Sequence, residues 1–269
     1  MSSAPDAFGN VATRYDADST YLELSLWFRA LVQERMARIY APGMHLLELG
    51  CGTGEDAIWH ARRGLTVTAT DGSAAMLAVA REKAQAAGIA DRITFKHLDF
   101  ADTATWTARG PFDGVYSNYG ALNCMDPRGF SALGEYLANA VRPGGVAGFC
   151  VIGRVCPWEM AWHGAHLHFR TALRRLPGHA TAHLDGRYFP VYYPTPGSLA
   201  RRIGAGWKWR GYRAVGVWLP PSDLYRAVGR RGRFARALLA LEKRTAAGWP
   251  FRALGDHYWL ELERAADGQ

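Results

Sequence analysis

The residues with the clearest chemical meaning lie in one short glycine-rich segment, residues 48–54, with the sequence Glu-Leu-Gly-Cys-Gly-Thr-Gly. Glycines at Gly50, Gly52 and Gly54 permit a sharp turn and let a ligand approach the bare backbone. A helix that begins just after such a turn offers unpaired N–H groups and a positive partial charge. The segment therefore predicts a loop that binds the polar part of a cofactor.

Two acidic residues stand at the ends of the next two predicted strands. Asp71 ends the second strand, and Asp99 ends the third. Ligands of open parallel sheets bind outside the carboxyl ends of the strands, so both carboxylates are expected beside the glycine loop. A carboxylate at the position of Asp71 can accept hydrogen bonds from both hydroxyls of a ribose. The pattern therefore indicates an adenosine-containing ligand, which dinucleotide enzymes also bind.

The spacing of the glycines separates two classes of cofactor. The dinucleotide fingerprint requires a glycine at position 55, where this chain has Glu55, a poor neighbour for a pyrophosphate. The order E-x-G-x-G-x-G at residues 48–54 instead resembles the first motif of the class I methyltransferases that use S-adenosylmethionine (SAM). Residues 112–118 resemble the motif that precedes the family's active-site loop, and residues 142–145 resemble its turn into strand five. Five such motifs cover residues 46–152, so the chain is identified as a member of this family.

The resemblance implies SAM as the cofactor and S-adenosyl-L-homocysteine as the product. In the family's pattern Asp71 meets the ribose, Asp99 meets the adenine amino group, and Phe100 packs on the ring. Residues 8–16 resemble the helical flap that covers the cofactor, which places Tyr15 at the methionine end. The cofactor-binding residues expected in full are Glu48, Gly50, Cys51, Gly52, Gly54, Asp71, Gly72, Met76, Asp99, Phe100, Ser117, Asn118 and Tyr15.

The acceptor is expected after the fourth strand and under an insertion rich in aromatic residues. Methyl transfer is an in-line displacement, so positioning supplies much of the rate, and a base is needed only when the acceptor loses a proton. The candidate catalytic residues are Tyr119, His163 and His166. The candidate substrate-binding residues are Asn123, Trp158, Trp162, Arg154 and Tyr192. The aromatic residues of the insertion suit either an acceptor with an apolar body and an acidic end or a small core of their own. No metal site is expected.

Several other classes of protein are disfavoured. Residues 118–120 lack the prolines of enzymes that methylate amino groups of nucleic acid bases, and no cysteine follows a proline as in cytosine-5 enzymes. The four cysteines form no CxxC pair, which suits a reducing cytoplasm. Residues 1–8 show no signal peptide, and the longest apolar stretch, residues 144–153, is too short to span a bilayer.

Positive charge is concentrated in the second half of the chain. Residues 1–153 hold 13 Lys/Arg and 16 Asp/Glu, whereas residues 154–256 hold 18 and 5. The excess indicates either a solvated basic face or an anionic partner. The predicted basic helix near residues 226–244 fits both a solvated helix packed through its leucines and peripheral contact with a membrane. Its basic and apolar residues are Arg226, Arg230, Arg231, Arg233, Arg236, Leu238, Leu239 and Leu241.

The elements that must position these residues alternate between strand and helix. This order predicts an α/β fold with a doubly wound, mostly parallel seven-stranded sheet, helices on both faces and an antiparallel last strand. The expected units are an N-terminal flap (1–40), a SAM-binding core (41–153), a substrate lid after strand five (154–195) and the end of the core with a basic insertion near 220–256 (196–269). No clean period is seen in residues 154–194.

The sequence thus predicts a cytoplasmic enzyme that methylates a small, anionic and partly apolar or aromatic metabolite. The alternatives are a membrane-associated lipid methyltransferase and a SAM-fold protein that only binds, with an RNA methyltransferase less favoured. Nothing in the sequence specifies the oligomeric state.

Overall fold

The computed structural model describes residues 2–221 and 232–266 of the chain. Its strands are β1 His45–Leu49, β2 Thr66–Asp71, β3 Ile93–His97, β4 Phe112–Ser117, β5 Val141–Ile152, β6 His179–Leu184, β7 Arg187–Tyr192, β8 Trp207–Val215 and β9 His257–Arg264. Its helices are α1 Ala4–Val11, α2 Glu23–Ile39, α3 Glu55–Arg62, α4 Ala74–Ala86, α5 Phe130–Ala140, α6 Pro157–Ala165, α7 Phe169–Ala172, α8 Pro196–Ile203 and α9 Gly232–Thr245. A π-helical turn, Asp16–Thr20, joins α1 to α2.

Seven of the strands form one sheet in the order β3-β2-β1-β4-β5-β9-β8. The strands from β1 to β5 pair in parallel, and β9 is antiparallel to both of its neighbours, β5 and β8. The predicted fold is therefore confirmed, including the reversed last strand. The strand order changes direction between β1 and β4, which is where such sheets open a crevice for a ligand.

Helices cover both faces of the sheet, as a mostly parallel sheet requires. On one face α2 buries Leu24, Phe28, Val32 and Met36, a four-residue spacing that puts all of them on one side of the helix. On the other face α5 and α8 bury their apolar sides in the second large core cluster. Both clusters support the ends of the strands that carry the predicted motifs.

The insertion after β5 is more regular than the sequence indicates. Residues 154–194, where no period is apparent, contain α6, α7 and an antiparallel hairpin of β6 and β7. The hairpin turns at Asp185 and Gly186, which both have positive φ (49° and 76°), as a two-residue type I′ turn requires. The Asp-Gly pair is the sequence signal for this hairpin, although the flanking residues show no clean period.

A buried ion cluster fixes the insertion to the sheet. Arg175 is buried, forms an ion pair with Glu159 of α6, and lies 2.9 Å from the Asp256 carboxylate at the start of β9. Although burial favours the neutral acid, His257 and Arg175 hold the pKa of Asp256 well below its usual value. The insertion therefore shares charged contacts with the core and is not attached by its ends alone.

Only part of the predicted basic helix can be compared with the structure. The predicted basic helix lies partly outside the described residues, since Arg226, Arg230 and Arg231 fall in residues 222–231. In α9, the half-buried Leu238 and Leu239 pack against the core cluster that contains α2. Over the part of the chain that is described, no helix has the length and apolarity needed to cross a bilayer.

Candidate active site

A cavity of about 920 Å³ opens at the carboxyl ends of β1, β2, β3 and β4. Its floor is the glycine-rich loop after β1, and its sides come from the loops after β2, β3 and β4. The N-terminal segment and strand β7 complete the wall. The volume is at the upper end of the range for small-molecule sites, so it suits a cofactor together with a second ligand.

The glycine loop is held against Asp71 by backbone hydrogen bonds. The N–H of Gly52 donates to one carboxylate oxygen of Asp71 over 2.8 Å, and the N–H of Ser73 donates to the other over 2.8 Å. Gly52 has φ of +52°, and a Cβ built there would meet no atom within 4 Å. The loop is therefore an open cradle. Burial raises the pKa of the Asp71 carboxyl at the edge of this cradle.

The loop after β3 forms an apolar end of the cavity. Leu98, Asp99, Phe100 and Trp106 all line it. The indole N–H of Trp106 donates to the carbonyl of Asp99 over 2.7 Å, and the N–H of Asp99 donates to the Thr105 hydroxyl over 2.8 Å. These bonds fix the backbone that presents the Asp99 and Phe100 side chains.

The opposite end of the cofactor loop holds a buried polar network. Arg29 of α2 forms an ion pair with Asp56, and the Asn118 amide donates to the same carboxylate over 2.9 Å. The Arg29 guanidinium also lies 5.1 Å from the centre of the Tyr119 ring. Burial, and then the nearby Asp56, raises the pKa of Glu48 well above its usual range, and its Oε2 is buried without a hydrogen-bond partner.

The N-terminal segment covers the glycine loop. Phe8 and Tyr15 line the cavity, and Phe8 packs on Phe189 of β7 with ring centres 5.7 Å apart. Asp16 accepts a hydrogen bond from the Thr53 hydroxyl of the loop over 2.6 Å and pairs with Lys83 of α4. The segment is therefore hydrogen-bonded to the cofactor loop and packed against the hairpin.

The wall beyond β4 is mostly apolar. It includes Tyr119, Cys124, Met125 and Tyr192. Burial raises the pKa of the Cys124 thiol to about 12, so this group is uncharged at neutral pH. Tyr119 has φ of +55°, which is strained for a residue with a side chain and is a feature that concentrates at functional sites.

Most of the predicted cofactor residues meet in this cavity. Those that line it are Glu48, Gly50, Cys51, Gly52, Asp71, Gly72, Met76, Asp99, Phe100, Asn118 and Tyr15, together with Tyr119 and Tyr192 from the acceptor set. Gly54 and Ser117 lie behind the wall. Gly54 begins α3 at φ of +82° where a Cβ would press on Ala80, and the Ser117 hydroxyl donates to the Leu49 carbonyl over 2.8 Å.

The structure places the other acceptor candidates outside the described cavity lining. The Asn123 amide donates to the carbonyls of Tyr192 (2.6 Å) and Ile152 (3.1 Å), so it braces the wall from behind. Arg154 donates to the Tyr193 carbonyl over 3.3 Å, and His166 contacts the Trp162 carbonyl over 2.8 Å. The residues that lie outside this lining are Asn123, Arg154, Trp158, Trp162, His163 and His166, and their roles toward the acceptor stay predictions.

Several lining residues carry no signal in the sequence. Arg29 and Thr20 belong to elements that precede the first motif, and Met125 and Trp106 lie in irregular turns. None of them belongs to a recognisable motif, so only the fold shows that they line the cavity.

Comparison with known proteins identifies the family. Residues 46–145 match the model of a methyltransferase domain. Over 219 residues, 76% of this chain and 85% of the other, the sequence is 32% identical to a demethylmenaquinone methyltransferase of Mycobacterium marinum. A stretch of 105 residues, 38% of this chain, is 42% identical to an uncharacterised protein of Synechococcus sp. and spans 24% of that protein's length. A solved complex of DhpI with SAH shares the fold, with a TM-score of 0.59 and 22% identity over 97% of this chain and 95% of that one.

The chain therefore belongs to the class I SAM-dependent methyltransferases. It is an enzyme whose cofactor is SAM. The residues present fit that molecule, because the cradle at Gly52 is open, a carboxylate stands at the end of β2, and Glu48 lines the other end of the loop.

Proposed function

We propose that this enzyme transfers the methyl group of SAM to a small, mainly apolar acceptor held against Cys124, Met125 and Tyr192. One observation carries this proposal: a single cavity runs from the glycine loop to that apolar wall. Acceptor and cofactor can therefore be held side by side in one space, and such positioning is the main catalytic requirement of an in-line displacement.

The cofactor supplies a methyl group on a positively charged sulfur, and the cavity residues hold it. Asp71 is assigned to the ribose hydroxyls, because its carboxylate edges the open cradle. Asp99 and Phe100 are assigned to the adenine. Arg29 is assigned to the carboxylate of the methionine part, and Glu48 to its ammonium group.

The charges of the described cavity lining favour an apolar acceptor over an anionic one. Its arginines are Arg29, which is assigned to the cofactor, and Arg128, which pairs with Asp126. The arginines of the insertion do not line the cavity, so they offer no direct counter-charge for an acidic acceptor. A small-molecule acceptor also agrees with the name of the Mycobacterium marinum relative, which refers to demethylmenaquinone.

Tyr119 is assigned to positioning. Burial raises the pKa of its hydroxyl far above neutrality, so the group stays protonated and is a poor base. Its ring meets the Arg29 guanidinium on one side and lies 5.9 Å from the His257 ring on another. These contacts hold the ring at the junction of the cofactor and acceptor parts of the cavity.

Two tyrosines of the same strand provide a matched test. Tyr192 lines the cavity, whereas Tyr188 is exposed. We expect Tyr192→Ala to reduce methyl transfer to an identified acceptor through a higher acceptor KM, because the wall loses aromatic contact area. SAM affinity measured by calorimetry should stay unchanged, and Tyr188→Ala should behave as the unmodified enzyme. Equal loss of SAM affinity and acceptor binding in Tyr192→Ala would show that the wall does not form a separate acceptor site.

A further inference from the structure

Asp56 accepts hydrogen bonds from three side chains that belong to two other parts of the fold. From α2, the Arg29 guanidinium pairs with its Oδ2, and the Gln33 amide donates to its Oδ1 over 2.9 Å. From the loop after β4, the Asn118 amide donates to Oδ2 over 2.9 Å. The Asp56 side chain is only 3% exposed. An ionised carboxylate has acceptor oxygens and no donor, so it can serve all three partners at once.

The backbone of Asp56 is fixed to the cofactor loop. Asp56 is the second residue of α3, which begins directly after Gly54, the last glycine of that loop. The N–H of Ile58 donates to the Gly54 carbonyl over 2.9 Å and closes the first turn of the helix. An acidic side chain in this turn is favoured by the positive partial charge of the helix N-terminus. Asp56 therefore connects α2 and the loop after β4 to the loop assigned to the cofactor.

The contact with Asp56 sets the orientation of the Arg29 guanidinium. Arg29 lines the cavity, although its side chain is only 13% exposed. Burial favours the neutral form of Arg29, but Asp56 and then Tyr119 raise its pKa above the usual value, so the group stays charged. A guanidinium is a planar fork of five N–H donors, and the contact with Asp56 uses Nη1. The fork therefore retains donors for a second anion, at an angle that Asp56 determines.

We infer that Asp56 is a positioning residue for the cofactor and orients Arg29 toward the carboxylate of the methionine part of SAM. The inference rests on the proposed function, in which Arg29 binds that carboxylate, but it does not depend on the methyl acceptor. Both Asp56 oxygens already accept hydrogen bonds from the protein, so Asp56 acts through Arg29 and not by touching the cofactor. Asn118 is held by the same carboxylate and, through its own Oδ1, accepts from the N–H of Tyr119 over 2.7 Å.

Calorimetric titration with SAM and with decarboxylated SAM tests the inference. The second ligand lacks the carboxylate that Arg29 is assigned to bind, so the ratio of the two Kd values isolates that contact. The test variant is Asp56→Asn, in which the new amide group faces side chains that are themselves donors. Arg29→Met tests the assignment of Arg29 itself. Circular dichroism and urea unfolding establish that each variant is folded.

Glu261→Gln is the matched control. The Glu261 side chain is 12% exposed and accepts hydrogen bonds from Arg35, also on α2, and from the Trp259 indole, each over 2.8 Å. None of these three residues belongs to the described cavity lining. The control therefore removes the charge of a carboxylate that pairs with an arginine of α2 and leaves the cavity unchanged.

We expect the unmodified enzyme and the control to bind SAM about tenfold or more tightly than decarboxylated SAM. This preference should fall to about threefold or less in Asp56→Asn and in Arg29→Met. Asp56→Asn should bind decarboxylated SAM nearly as well as the unmodified enzyme does, because that ligand makes no use of the oriented fork.

Three results would overturn the inference. A preference kept in Asp56→Asn but lost in Arg29→Met would overturn it and leave the assignment of Arg29 intact. Equal weakening of both ligands in Asp56→Asn would overturn it as well, because a purely structural role affects both. A preference kept in Arg29→Met would overturn the assignment and the inference together.

Asp56→Glu covers the case in which Asp56→Asn does not fold. It keeps the buried charge and displaces the carboxylate by one methylene, so it alters the position of the Arg29 fork without removing its partner. The preference for SAM should fall in this variant too. A ratio of Kd values equal to that of the unmodified enzyme would contradict a positioning role for Asp56.

Discussion

The cradle at Gly52 yields a prediction in which folding and cofactor binding can be measured separately. Gly52→Ala adds one methyl group at φ of +52°, into space where no protein atom lies within 4 Å. An L-residue in this backbone region costs roughly 1–2 kcal/mol, and alanine recovers part of that by restricting the unfolded chain. We expect a net loss of about 1 kcal/mol in the free energy of unfolding, or about 2–4 °C in Tm.

Gly43 offers a matched control. It has φ of +87°, a Cβ there would also meet no atom within 4 Å, and it lies in the turn before β1, outside the described cavity lining. Gly43→Ala should therefore carry a similar loss of stability. Only the methyl group at position 52 would occupy space that the cofactor needs, and overpacking of this kind costs about 1–3 kcal/mol.

Calorimetric titration with SAM and urea unfolding of both variants provide the measurement. SAM affinity should fall about five- to one-hundred-fold in Gly52→Ala and stay unchanged in Gly43→Ala. Unchanged SAM affinity in Gly52→Ala, with the expected loss of stability, would refute the assignment of this loop as the cofactor cradle.

Three further variants test other parts of the structure. Asp71→Asn should weaken SAM binding by about ten- to one-hundred-fold in calorimetry, because a charged acceptor of hydrogen bonds is lost; an unaltered Kd would contradict its role at the ribose. Arg175→Met should lower the free energy of unfolding in urea by about 3–5 kcal/mol, since Glu159 and Asp256 lose the buried cation that they share and only Glu159 keeps a second arginine. Arg174→Met, on the exposed side, should cost less than about 1 kcal/mol. Burial lowers the pKa of His60 from 6.5 to about 4. The unfolded chain therefore takes up the proton first as the pH falls, and stability drops by up to about 3 kcal/mol between pH 6.5 and pH 4. His60→Phe should remove that drop, and a pH profile of unfolding identical to that of the unmodified enzyme would show that His60 does not cause it.

The cofactor side of the cavity could be predicted from the sequence because its residues lie in short motifs at strand ends. Gly52, Asp71 and Asp99 are each placed by the strand that precedes them, so their positions follow once the parallel sheet is recognised. Arg29 could not be found in this way. It lies on α2, and only the packing of that helix against the sheet brings its guanidinium to Asp56.

The sequence does not show in the same way which residues form the acceptor side of the cavity. Arg174 and Arg175 are neighbours in the sequence, yet Arg175 is buried between two carboxylates while Arg174 is exposed. Charge composition alone therefore does not show that Arg175 holds the insertion to the sheet. Asn123 likewise has the right position in the chain for substrate contact but braces Tyr192 through the backbone.

The most direct test of the proposed function is the destination of the methyl group. The enzyme is incubated with methyl-labelled SAM and a cell extract, which is then separated into organic-soluble, polar-metabolite, protein and RNA fractions, with Asp71→Ala as the control for background. The structure predicts label in a small molecule of the organic-soluble fraction, absent with the control. Label confined to protein or RNA would contradict a small-molecule acceptor, and label in a polar anionic metabolite would contradict an apolar one.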